Sequence, residues 1–145
     1  MASANKFNCM VGNLAIGLTV LGIGGGSGDA IKFYLSNTLP VATNTVKGTP
    51  AEITEQNGYS APVTLSATGT NSSGTYTMTG TNGTVTASGG SVGPFEYVVM
   101  YDSTAAGTPL MLWWDYGSVL TLGSGDSFTV KWNNGASTGT VFTLA

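Results

Sequence analysis

Two apolar runs near the middle of the chain, residues 95–102 and 109–116, flank a stretch of small and turn-forming residues. This spacing predicts a β-hairpin with a loop longer than two residues. With its turn centred on Ala105–Ala106, Tyr97 faces Trp114, Val99 faces Leu112 and Tyr101 faces Leu110. Side chains alternate along a strand, so these six are expected on one face. The other face then carries Val98, Met100, Met111 and Trp113, with Glu96 opposite Asp115. Both faces are apolar near the turn, which places the pair inside a sandwich or against a neighbouring subunit.

The same alternation recurs along the chain. Residues 29–37 set Ile31, Phe33 and Leu35 against Lys32, Tyr34 and Ser36, a strand with one buried face that ends at Leu39-Pro40. Residues 43–48 read as a loop, and residues 50–58 as one helical turn closed by Asn57-Gly58. Residues 59–67 predict a strand around Val63 and Leu65, beginning near Pro62. Residues 75–78 and 84–87 read as mostly exposed strands of a hairpin joined through Thr81-Asn82-Gly83. Residues 118–122 form a short strand, 123–126 a turn, and 127–132 a one-sided strand with Phe128, Val130 and Trp132 inward. Residues 133–139 read as a loop and 140–145 as the last strand. About eight short antiparallel strands separated by turn signals predict an all-β chain, a β-sandwich of jelly-roll-like form. The expected organisation is an N-terminal arm, residues 1–28, and a β-sandwich domain, residues 29–145.

The arm has its own pattern. Phe7 and Met10 are apolar anchors in a polar start, and residues 14–23 form an apolar run leading into a glycine-rich turn over 24–28. The run is too short to span a membrane. It lacks the small-residue cleavage site of a secretory signal, and the chain is expected to keep it, beginning as it does at Met1. Internal glycines and β-branched residues leave it a short helix or a strand, packed on the body or on a neighbour. Gly22, Gly24, Gly25, Gly26 and Gly28 do not make a phosphate loop, because no Gly-Lys-Ser/Thr follows and the next segment reads as strand.

Composition sharpens the picture. Of 145 residues 41% are hydrophobic but only 8% are charged, against about a quarter in an average domain. There is no Arg and no His, and the lysines are Lys6, Lys32, Lys47 and Lys131. Thr, Ser, Asn and Gly must cover the surface. A net charge of −3 without a basic stripe disfavours phosphate-backbone binding, so no nucleic-acid partner is expected. So weakly charged a surface resists self-association poorly, as suits a chain built into an assembly.

Catalytic chemistry finds little to work with. Histidine triads and Cys/His zinc sites are excluded by one cysteine and no histidine. Cys9 reads as a small packed side chain. The pairs Glu96/Asp115 and Glu52/Glu55 are the carboxylates close enough to consider for glycoside hydrolysis or calcium, and structural acids are the expected reading. Trp113, Trp114 and Trp132 read as core or subunit interface, with a sugar-stacking platform as the alternative. No enzyme, cofactor or metal is expected.

Several stretches taken together resemble a family of small virion proteins of tailed phages. They are residues 5–9, 31–46, 53–59, 89–102, 109–117 and 125–132, with the terminal strand. The likeness spans nearly the whole chain, and it departs over residues 11–28, which are apolar and glycine-rich where the family has a polar, helix-like segment. The resemblance implies a capsid decoration, or cement, protein on the outer surface of the head. Its implied partners are its own copies, as a homotrimer, and the major capsid protein. It brings no catalytic residues. Phe7, Leu14, Ile16, Leu18, Val20, Leu21 and Trp113 are the candidate interface residues. The alternatives are a tail or connector component and a carbohydrate-binding, host-adhesion module.

Overall fold

Ten antiparallel strands and one short helix make up the described part of the chain. The computed structural model describes residues 4–22, 28–61, 63–132 and 137–145. Pro62, most of the glycine-rich turn at 24–28 and most of the loop at 133–139 lie outside the described residues. The elements are β1 (Ala4–Lys6), α1 (Cys9–Ala15), β2 (Ile31–Ser36), β3 (Val63–Thr64), β4 (Ala67–Ser72), β5 (Thr75–Thr81), β6 (Gly83–Thr86), β7 (Val92–Asp102), β8 (Leu110–Leu122), β9 (Ser127–Val130) and β10 (Thr138–Leu144). The main sheet has the order β1-β8-β7-β2-β3; β10-β5-β4 and β6-β9 form two smaller sheets, and none closes into a barrel. No helix among the described residues is long and apolar enough to cross a membrane.

The central hairpin is there, as β7 and β8, but its register is not uniform. Tyr101 pairs with Leu110 as expected. The register then shifts, and Met100 pairs with Leu112, Val99 with Trp113, Val98 with Trp114 and Tyr97 with Asp115. Met111 is the extra residue. One unpaired residue flips the facing of everything beyond it. Trp113 therefore joins Tyr97, Val99 and Tyr101, while Leu112 and Trp114 turn to the face of Val98 and Met100. This reverses the facing expected for Leu112, Trp113 and Trp114 and separates Glu96 from Asp115. A larger irregularity follows. Phe95 pairs with Leu120, so four residues of β8 bulge out opposite Glu96 alone, and Gly117 takes a φ of 87° there. The strand expected at 118–122 is thus the far end of β8.

The larger core lies between the main sheet and the two smaller ones. Ile31, Phe33, Leu35, Val98, Met100 and Leu112 meet Met78, Val85, Trp132 and Val141. A second cluster covers the opposite face of the main sheet, with Phe7, Tyr34, Tyr97, Val99, Tyr101 and Leu110 at its centre. Strand β2 is therefore buried on both sides, not one. Residues 38–55 fold over its polar face and satisfy it: the Tyr34 hydroxyl donates to Pro50 O at 2.9 Å and Ser36 Oγ to Ala51 O at 2.6 Å. Residues 50–58 form no helical turn, because Glu52 bridges Ser36 in an extended conformation. The Asn57-Gly58 turn is present, with both residues at positive φ.

The smaller sheets correct another expectation. β5 does not pair with β6. It pairs with β4 across Ser73-Gly74, both at positive φ, and with β10 on its other side. Two such residues form the tight turn that strand twist favours. Asn82-Gly83 instead carries the chain from one small sheet to the next. Glycine is needed at 83 because a Cβ there would lie 2.4 Å from Phe33 Cζ.

Candidate interaction surfaces

The N-terminal segment is built onto the body in layers. β1 adds an edge strand to the main sheet by pairing with Leu112–Trp114 of β8. Phe7 then turns inward, fully buried, with its ring 4.5 Å from that of Trp113. Helix α1 follows and buries Met10. It ends at Ile16-Gly17: Gly17, at φ 72°, donates its N–H to Leu14 O, and Leu18 donates to Asn13 O. That paired closure is a Schellman cap, which a glycine in the left-handed region supplies at low cost.

This geometry sorts the interface candidates. Phe7 is buried within the chain, and Trp113 is half-buried against it. Leu14, Leu18 and Leu21 are half-buried. Ile16 is 76% exposed and Val20 47%. Val11, on the outer side of α1, is 51% exposed. Beside this segment runs the loop that carries Leu39, Val41 and Val46, all exposed; Ala42 O accepts the Asn8 N–H at 2.8 Å. Val11 and the loop residues escaped the sequence reading, since an isolated valine in a proline-bounded loop has no periodic partner to mark it. Cys9 lies between helix and loop, its thiol 3.4 Å from Leu110 O. Burial raises its pKa, against the lowering effect of backbone hydrogen bonds, so it stays a protonated, packed thiol.

A second surface is an aromatic groove of about 440 Å³, bounded by Ala4, Trp114, Tyr116, Phe128, Trp132 and Val141 among others. Its rings meet edge to face. Trp114 and Trp132 lie 5.0 Å apart at 61°, and Tyr116 and Phe128 5.9 Å apart at 77°. Trp132 is buried and donates its indole N–H to Thr81 O at 2.8 Å. A sugar platform needs flat, exposed ring faces in a row. Here Trp132 is buried, Trp113 belongs to the opposite face of the sheet, and Tyr116 is the well-exposed ring.

The carboxylate pairs do not assemble into reactive sites. Asp115 Oδ1 accepts the Gly117 N–H within the bulge, away from Glu96. Glu52 is held by Lys47 at 2.7 Å and accepts the Tyr59 hydroxyl at 2.9 Å, while Glu55 is exposed. Lys47 Nζ also lies 5.7 Å from the centre of the Tyr34 ring and 5.5 Å from that of Tyr101. No group of three or more metal-ligating side chains occurs among the described residues. Burial, then the charge of Glu52, pushes the Tyr34 hydroxyl well above its ordinary pKa. Tyr59 is likewise raised, chiefly by burial. Burial by itself would lower Lys47, but its hydrogen bond and charge interaction with Glu52 more than offset this and raise it.

These shifts share a sign. A folded-state pKa raised above the unfolded value contributes stability below the unfolded value and loses it as pH rises. The urea midpoint is therefore expected to fall above about pH 10, where unfolded Tyr and Lys begin to lose protons. Lys47→Met should cost about 1–2 kcal/mol at neutral pH and flatten part of that alkaline slope. An unchanged slope in the variant would show that Lys47 and Glu52 are not coupled to folding.

No family model, no curated protein and no solved structure matches this chain.

Proposed function

We propose that this chain is a structural virion protein, a capsid decoration protein that stabilises a phage head by bridging capsid subunits. The observation that carries the reading is the exposed apolar set Val11, Ile16 and Val20, on a segment fastened to a nearly uncharged β-body. Exposed apolar side chains gathered into one contiguous patch mark an interaction site, and the reading takes these three as part of such a patch. Each would contribute about 25 cal/mol per Å² of apolar area removed from water. A single such contact is weak; repetition over symmetry-related positions makes it strong. The resemblance to small tailed-phage virion proteins points the same way and supplies the trimer, the capsid partner and the position on the outer surface of the head.

The chain itself offers a first check. Sedimentation velocity of the purified protein is expected to show a trimer that persists on dilution. A single monomeric boundary at high concentration would contradict the proposal's oligomeric part.

A further inference from the structure

Asp102 closes β7 and is wholly buried. Its Oδ1 is well served, accepting the N–H groups of Thr104 at 2.9 Å and Ala105 at 3.0 Å. Its Oδ2 has no hydrogen-bond partner among the described residues. The side chains that face this carboxyl are the carboxyl of Asp29 and the hydroxyl of Thr19, which is itself buried. Asp29 is tied down in turn. Its Oδ2 accepts the Val20 N–H at 2.5 Å, and its own N–H donates to Val20 O at 2.8 Å. The neighbouring backbone is stapled as well: Ser103 donates to Ala30 O through both N–H and Oγ, and Ala30 N–H donates to Thr104 Oγ1. Two other stretches of chain thus bring the carboxyl of Asp29 and the hydroxyl of Thr19 to one unsatisfied carboxylate atom.

No basic side chain acts on Asp102. Lys47 is engaged with Glu52 on the other side of the sheet. A fully buried carboxylate facing a half-buried one without a counter-charge is not a stable end state. Either one proton is shared between them or a cation joins them. Backbone N–H groups donate to Asp102 Oδ1 and to Asp29 Oδ2, so both carboxyls already act as acceptors there. The Thr19 hydroxyl adds a neutral oxygen, for which a shared proton has no need. An all-oxygen set with two negative charges suits a hard divalent cation, and calcium tolerates irregular geometry and completes its shell with water more readily than magnesium.

We infer that Asp102, Asp29 and Thr19 form a calcium-binding site that fastens Thr19 and Asp29 to the end of the main sheet. Asp102 supplies Oδ2, Asp29 its carboxylate and Thr19 its hydroxyl oxygen. The site is independent of the carboxylate pairs Glu52/Glu55 and Glu96/Asp115.

The test uses the full chain, stripped with a chelator and unfolded thermally near pH ~7. Sites with few protein ligands bind calcium with a Kd on the order of 10⁻⁴–10⁻³ M. About 10 mM calcium chloride should then raise Tm by roughly 4–8 °C. Magnesium should raise it less, and sodium chloride of equal ionic strength not at all. Asp102→Asn and Asp29→Asn should each weaken calcium binding at least about tenfold by titration calorimetry; Asp29, being only partly buried, provides the variant least disturbing to the fold. A wild-type chain indifferent to calcium would overturn the inference, as would a calcium response kept in both variants. If Asp102→Asn is more stable than the calcium-indifferent wild type at alkaline pH, the pair shares a proton and the calcium site is wrong.

Discussion

Replacing Phe33 by alanine is expected to cost about 3–5 kcal/mol, read from urea denaturation at neutral pH. Phe33 is fully buried at the centre of β2, between β7 and β3 in the main sheet. Its ring meets Trp132 at 6.4 Å nearly edge-on, and the backbone of Gly83 comes so close that even a methyl group there would clash with the ring. Phe33 therefore joins its own sheet to the β6-β9 pair through Gly83, and the Trp132 ring it meets is in turn hydrogen-bonded to Thr81 O at the end of β5. Removing the ring leaves a cavity whose walls belong to different sheets and cannot close together. A domain of this kind has about 5–15 kcal/mol in total, so roughly a fifth or more would go. The slope of the denaturation curve should stay the same, since the surface exposed on unfolding is nearly unchanged. A loss under about 1 kcal/mol would mean that the layers do not depend on this contact.

The second large effect concerns the surface. If the proposed decoration role holds, changing Val11, Ile16 and Val20 together to serine is expected to abolish attachment to the capsid shell while moving Tm by no more than a few degrees. These side chains are exposed, so their removal takes little from the folded chain. Point substitution tests the contact better than deletion of the arm. Phe7 and Met10 lie in the core and β1 pairs with β8, so deleting residues 2–23 would strip an edge strand and two core side chains together. Binding is read by co-sedimentation of the variant with shells lacking the protein. Attachment that survives the triple substitution would remove this segment from the interface, and the loop with Leu39, Val41 and Val46 would be the next surface to test.

What the sequence makes legible here is alternation, and what it hides is the insertion of single residues. The strands around Ile31, Val99, Leu112, Phe128 and Val141 follow from a period of two in apolar residues, and each is present. The facing of Leu112, Trp113 and Trp114 does not follow, because Met111 slips into β8 unpaired and nothing in its side chain announces a bulge. The hairpin across Ser73-Gly74 was obscured by a more familiar signal, Asn82-Gly83, whose glycine answers to the Phe33 ring and not to a turn. Tyr34 and Ser36 look like solvent positions by polarity, and they are buried because residues 38–55 bring acceptors to them. The carboxyl pair Asp29/Asp102 is separated by most of the body in sequence and meets through the pairing of Ile31 with Asp102. For the surface candidates, the anchors Phe7 and Met10 were readable as apolar exceptions in a polar stretch. The exposure of Ile16 and Val20 depends on where α1 stops, which Gly17 decides.

The most direct measurement is the copy number and position of this chain in purified particles of the phage that the proposed role requires, by quantitative mass spectrometry and symmetry-imposed imaging. The account predicts copies comparable in number to the major capsid protein, clustered on the outside of the head where capsid subunits meet. A dozen copies or fewer, in a ring at the tail or portal, would contradict it.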